Sequence, residues 1–311
     1  VAVHQAFGAA VAAARLLRLA PEAFANAFGL AGALSTVPAA RKWNWRDRPL
    51  FSFKDVVAAP AEAGVKAALF AAEGLQGSRD VLDGRHGFWI MAGSDRQDAS
   101  RLTSGLGSRW TVEELSFKPY PACRWVHAAL EACEHILHTG RLTLADIASV
   151  EVGTFADVVE NFASRRPPTM IDAEFSMPWT VAMVLADVPK GPDWYAAGTL
   201  ADPRLHAVAD MVALVVDEEA QARHFSDERK SMSVVRIAAR DGRRFEKRVA
   251  VARGGLASPW PDGGIEEKFR EQASAVIGAA AVAKLAALVL SVDDVSDLGE
   301  LFALIGGAGT P

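Results

Sequence analysis

The Asp241-Gly242 pair constrains the fold more than any other feature of the chain. It is flanked by residues 231–240 and 243–252, in which apolar and polar side chains alternate. An Asp-Gly pair between two alternating runs signals a hairpin with a two-residue turn. This places antiparallel sheet in a chain whose two ends read as helix. Residues 8–19 are mostly small, with Val11, Leu16 and Leu17 as the larger members. Pro21 suits the first turn of a second helix running through Phe24, Phe28 and Leu30. Pro60 opens a third over 61–73, with Val65, Ala68, Leu69 and Ala72 as its apolar face at helical spacing.

The texture changes near Trp110. A strand is expected over 113–118, stopped by Pro119 and Pro121. A helix follows over 124–138, with Val126, Ala129, Leu130, Cys133, Ile136 and Leu137 on its apolar side. Further expectations are a strand over 147–155, a helix over 175–187, and a strand or helix end over 211–216. After the hairpin come helices over 265–277 and 279–290 and a short one near 295–304. Helices, then mixed elements, then helices describe a mainly α chain with an α+β part. The expected arrangement is one all-helical domain built from both chain ends (1–110 and 259–311) with an inserted α+β domain (111–258) carrying an antiparallel sheet. At roughly 150 residues per domain, 311 residues fit two domains. The chain opens at Val1 directly into helix, so an upstream portion is expected to be missing.

Composition excludes several classes of function. Thirty-three Lys and Arg against 38 Asp and Glu give a net charge of −5, which lacks the basic surface that nucleic-acid binding needs. The longest apolar stretch, 279–290, contains Lys284 and is too short for a membrane span of about 20 residues. No basic segment followed by an apolar one opens the chain. Cys123 and Cys133 lie ten apart in an expected helix, about 15 Å along its axis, so a disulfide is excluded on geometry. A reducing, cytoplasmic setting follows. There is no GxGxxG after a strand, no GxSxG and no phosphate loop.

The densest polar constellation is FKPYPACRWVH, residues 117–127. A strand end, a proline-bracketed turn and a helix start gather Lys118, Tyr120, Cys123, Arg124 and His127. Arg124 can fork onto a carboxylate and Lys118 adds a point charge. His127 can serve as acid or base near neutral pH. Lys54, after an aromatic stretch that includes Trp43 and Trp45, could reach a cleft. The stripe His127, Glu131, Glu134 and His138 has metal-ligand spacing, but a solvated helix face has the same spacing, and no metal is assigned. Glu62, in the first turn of its helix, suits the helix dipole without a catalytic role. His4 and His86 read as structural.

Several segments together resemble the MmgE/PrpD family, which contains 2-methylcitrate dehydratase, cis-aconitate decarboxylase and iminodisuccinate epimerase. They are FGAAVAAARLLRLAPEAFANAFGLAG, AGVKAALFAAEGLQGSRDVLDGRHGF, KPYPACRWVHAALEA, FSMPWTVAMVL and RDGRRFEKRVAVARG. The resemblance implies a helical domain, a smaller α+β lid, a homodimer, and a cleft site that works without metal or organic cofactor. It also implies proton loss or exchange at carbon next to a carboxylate. Lys118, Tyr120, Arg124 and His127 fall on the shared motif. Cys123 lies where the decarboxylase type has a catalytic histidine and the dehydratase type has cysteine. Glu62 lies near a site lysine of the decarboxylase type, which weighs against that reaction. The family's upstream acidic and histidine segment has no counterpart in these residues. The expected function is a lyase of the 2-methylcitrate dehydratase kind acting on a small di- or tricarboxylate. In that reading His127 moves the proton, Tyr120 and Cys123 assist, and Lys118, Arg124 and Lys54 bind carboxylates. The alternatives are an epimerase or isomerase of an imino- or amino-dicarboxylate, and a non-catalytic carboxylate binder.

Overall fold

The computed structural model describes residues 4–35, 58–94, 98–226 and 229–306. Lys54, Trp43 and Trp45 lie outside the described residues. The chain divides into two compact units, Val1–Arg109 and Trp110–Pro311.

The first unit is built on α1 (Gln5–Leu16), α2 (Pro21–Leu34) and α3 (Ala58–Ala72), followed by the single turns α4 (Phe88–Met91) and α5 (Ser100–Thr103). Pro21 occupies the first turn of α2, as expected. The buried face of α3 differs from the expected one. It consists of Pro60, Ala63, Gly64, Ala67, Ala68 and Ala71, so Ala68 is buried as expected while Val65, Leu69 and Ala72 are exposed. The cause is backbone proximity. Gly64 sits so close to α1 that a Cβ there would collide with the Ala6 carbonyl oxygen. Helices this close exclude large side chains from the seam, so the alanines face inward and the larger residues turn out. Phe7 packs against Phe28 and Phe88 beside the seam, with ring centroids 4.7 and 4.8 Å away.

The second unit carries a four-stranded sheet in the order β2-β1-β3-β4, formed by β1 (Ile147–Thr154), β2 (Val212–Val216), β3 (Ser233–Ala239) and β4 (Arg244–Val249). The sheet is mixed rather than antiparallel: β2 runs parallel to β1, and the other pairs are antiparallel. A parallel pair needs a crossover of a dozen residues or more. Here α7 (Ala156–Asn161), α8 (Met170–Glu174), α9 (Met177–Leu185), α10 (Ala197–Leu200) and α11 (Pro203–Asp210) supply it, and α12 (Glu218–Phe225) links β2 to β3. The hairpin is present, but its loop holds three residues. The Ala239 N–H donates to the Arg243 carbonyl and the Gly242 N–H to the Ala239 carbonyl. A two-residue type I′ turn needs positive φ at both central positions, and here Gly242 has φ +90° while Asp241 does not.

No strand forms over the expected 113–118. Thr111–Glu114 is a 3₁₀ turn, and residues beyond it are extended, with the Phe117 N–H on the Gly254 carbonyl at 2.7 Å. Below the sheet lie α6 (His127–Gly140) and α9. Every residue of α9 is buried, and the Trp179 indole donates to the Trp194 carbonyl at 3.2 Å. The chain closes with α13 (Gly264–Ile277), α14 (Ala279–Leu290) and α15 (Gly299–Gly306). The outer strand β4 is RFEKRV, charged along its length. At the opposite edge, the Arg165 guanidinium donates to the Val212 carbonyl of β2 at 2.8 Å. No helix among the described residues is long and apolar enough to cross a membrane.

Candidate functional site

Residues 117–127 form one tightly held turn. Pro119 and Pro121 deny it regular structure, and a 3₁₀ turn, Arg124–Val126, delivers the chain into α6. The Cys123 N–H donates to the Glu174 carbonyl at 3.0 Å. The Tyr195 hydroxyl donates to the Pro121 carbonyl. Tyr120 is buried, and its hydroxyl donates to Glu134 Oε2 at 2.6 Å. Glu134 is a hub: Lys190 Nζ lies 2.7 Å from its other oxygen and Arg253 Nη2 reaches it at 3.2 Å. The Lys190 ammonium also sits 4.7 Å from the centroid of the Tyr120 ring. Glu131, one turn earlier, accepts from the Arg253 backbone N–H at 2.8 Å.

Arg124 is placed differently from the expectation of an open carboxylate fork. Its Nη1 donates to the Arg253 carbonyl at 2.6 Å and its Nη2 to the Ala252 carbonyl at 2.7 Å. The guanidinium thus ties the chain after β4 to the start of α6. His127 also departs from the expected acid-base setting, because its ring is fully buried. Nε2 lies 3.2 Å from the Ala122 carbonyl oxygen, and Nδ1 lies 3.3 Å from Arg124 Nη1. A carbonyl can only accept, so Nε2 carries the proton and Nδ1 accepts from Arg124. Both nitrogens are occupied and the ring is neutral. Burial first, and then the neighbouring Arg124, Lys118 and Lys268 charges, bring its pKa down to about 3; the bond to Ala122 opposes this.

This geometry predicts acid lability. The folded state holds His127 neutral down to about pH 3, whereas the unfolded chain protonates near the ordinary 6.5. Stability from this group is therefore complete above 6.5 and is lost as the pH falls toward 3, on the order of 5 kcal/mol in all. Urea unfolding across that range should show the loss, and His127→Gln should flatten it. An unchanged slope in the variant would rule His127 out as the cause.

Tyr120 and Cys123 are held neutral as well. Burial, then the Glu134 carboxylate, pushes the Tyr120 phenol up. Burial raises the half-buried Cys123 thiol to about 11, with the nearby Lys118 charge and a backbone bond opposing. Cys133 is buried in α6, and both cysteines are free thiols. Lys118 is exposed and makes no ion pair among the described residues. Its carbonyl accepts from Lys268 Nζ of α13 at 2.6 Å. Pro119, Pro121, Lys190, Gly191, Trp260, Lys268 and neighbouring α13 residues line a half-open cavity of about 210 Å³ beside the turn.

The structure thus brings together Lys118, Tyr120, Cys123, Arg124 and His127. Sequence reasoning did not connect them to Glu134, Lys190, Arg253 and Lys268. The Tyr120–Glu134 bond spans fourteen positions and the Lys268–Lys118 contact 150, and no local pattern signals such pairs. The stripe His127, Glu131, Glu134 and His138 is not a shared face for a metal, because His127 is buried beneath the turn and both glutamates are engaged by Arg253. Among the described residues no group of three or more His, Cys, Asp or Glu is arranged to hold a metal ion. Glu62 is exposed and paired with Lys66 at 2.5 Å.

Comparison with known proteins matches both units. Residues 1–100 match the MmgE/PrpD N-terminal domain, and residues 120–294 match the MmgE/PrpD C-terminal domain. A cis-aconitate decarboxylase of Aspergillus terreus is 24% identical over 323 residues, covering 98% of this chain and 64% of that protein. The human cis-aconitate decarboxylase is also 24% identical, over 98% of this chain and 62% of its own length. The chain thus spans somewhat under two thirds of the length of these relatives. The two domain matches, which together span most of the chain, and the KPYPACRW turn agree: the chain belongs to the MmgE/PrpD family.

Proposed function

We propose that this chain serves a lyase that acts on a small di- or tricarboxylate, and within that class a dehydratase of the 2-methylcitrate kind. The observation that carries the reading is the electrostatic state of the turn. Tyr120, Cys123 and His127 are all held neutral, while Lys118 has no ion-pair partner among the described residues. An unpaired ammonium beside neutral groups favours a polyanion and, as an enolate develops next to a carboxylate, stabilises the added charge. Lys118 binds a substrate carboxylate. The proton on carbon passes to solvent water, and Cys123, which reaches solvent, gives its own proton to the departing hydroxyl as water forms and regains one from solvent. Tyr120 and His127 act as positioning residues through Glu134 and Arg124. Lys54 remains a proposed carboxylate ligand, and the enzyme is proposed to work as a homodimer in the cytoplasm.

The names of the relatives favour a second reading, decarboxylation of cis-aconitate. Cys123 speaks against it, because the decarboxylase type resembled here has histidine at that position. Proton NMR in D₂O separates the two. The expected result is an alkene and water from 2-methylcitrate, with cis-aconitate left intact. Carbon dioxide and a shortened acid from cis-aconitate would select the second reading. Deuterium exchange without elimination on iminodisuccinate would replace both with an epimerase.

A further inference from the structure

We infer that Lys268 of α13 is a second substrate-binding cation, which forms with Lys118 a two-lysine clamp for an anion bearing two carboxylates. Three observations carry it, and it rests on the reading of this turn as a carboxylate site. First, Lys268 Nζ donates to the backbone carbonyl of Lys118 at 2.6 Å. One ammonium is thereby fixed at the residue that bears the other, across 150 positions of sequence. Second, neither lysine has an ion-pair partner among the described residues. Lys190, on the same cavity, is neutralised by Glu134 at 2.7 Å. Glu267 and Glu271 line the cavity too, but neither reaches ion-pair distance of Lys268. Third, Lys268 is half-buried and faces a cavity of about 210 Å³ walled by Pro119, Pro121 and Trp260.

Two like charges held together are unfavourable without a counter-ion. Burial and the Lys118 charge both lower the Lys268 pKa, as expected for an ammonium lacking its acid. An ammonium has three donors. Lys268 gives one to the Lys118 carbonyl, which leaves the others for a carboxylate. A monocarboxylate can satisfy only one of the two lysines, so the clamp selects for dianions and trianions.

The test uses the whole chain and tricarballylate, an unreactive tricarboxylate, in a calorimetric titration at low salt, with propionate for comparison. Lys268→Gln should weaken tricarballylate binding about tenfold or more, as loss of one charge-assisted hydrogen bond implies, and leave propionate nearly unchanged. Lys268→Arg, which keeps the charge, should restore most of the affinity. That rescue is not expected if the residue only braces the turn. Lys66→Gln, which removes the same charge from an exposed position on α3, should bind as the parent does. The clamp is overturned if Lys268→Gln binds tricarballylate like the parent, if Lys66→Gln weakens it equally, or if the parent does not bind it at millimolar concentration. Lys268-dependent binding with no turnover of any di- or tricarboxylate would uphold the clamp and reject the lyase reading instead.

Discussion

Arg124→Ala is expected to destabilise the second unit by about 3 kcal/mol, as measured by urea unfolding. The side chain donates to two successive carbonyls, Ala252 and Arg253, and to His127 Nδ1. Ala252 is buried. Truncation strands these acceptors, each at about 1–3 kcal/mol before water enters to soften the loss. It also frees the chain that carries Arg253 to Glu131 and Glu134, so the Tyr120 anchor loosens with it. Arg124→Lys should recover only part, because one ammonium cannot span two carbonyls as a planar fork does. If Arg124→Ala unfolds like the parent and only raises KM, the guanidinium serves substrate and the bracing role is wrong.

Gly64→Ala in α3 is expected to cost about 2 kcal/mol despite an opposing gain. Alanine is the better helix former by about 1 kcal/mol. The added methyl, however, would overlap the Ala6 carbonyl oxygen and crowd the Ala10 nitrogen and the Ala9 side chain. Two of these are backbone atoms of α1 and cannot swing aside, so the helices must separate. Overpacking of this sort costs about 1–3 kcal/mol, and parting the α1–α3 seam also loosens the alanines along it. Hydrogen exchange should quicken in α1 and α3. Exchange that slows would mean the seam has room and the propensity gain wins.

What could be read from the sequence follows the range of the interactions. The α14 helix matches the expected 279–290, because a twelve-residue apolar and alanine-rich run bounded by Gly278 and Ser291 carries its own limits. The hairpin was legible for the same reason, although the extra loop residue was not, since φ at Asp241 depends on how the strands meet. The α3 face was misread because Val65 and Leu69 are more hydrophobic than Gly64 and Ala67. Hydrophobicity ranks side chains, whereas a close helix seam selects for their absence. At the turn, KPYPACRWVH identified the right cluster but not the job of each member. Nothing in the spacing shows that Arg124 is taken up by carbonyls 128 and 129 positions away, or that His127 is sealed beneath it. Lys268 sits in IEEKFREQ, which reads as an ordinary solvated helix face until α13 is seen to return beside residue 118.

The two borders of the sheet restrict how copies of this chain can meet. An unprotected outer strand invites another strand to dock and extend the ladder. Along β4, Arg244, Glu246 and Arg248 alternate with Phe245 and Lys247, so an incoming strand would have to strip water from a row of charges. Along β2, Arg165 already occupies the Val212 carbonyl that a newcomer would need. Strand addition is opposed at both ends, which helps guard a Val-rich sheet against runaway polymerisation. The homodimer proposed above is expected to join through surfaces other than the sheet edges.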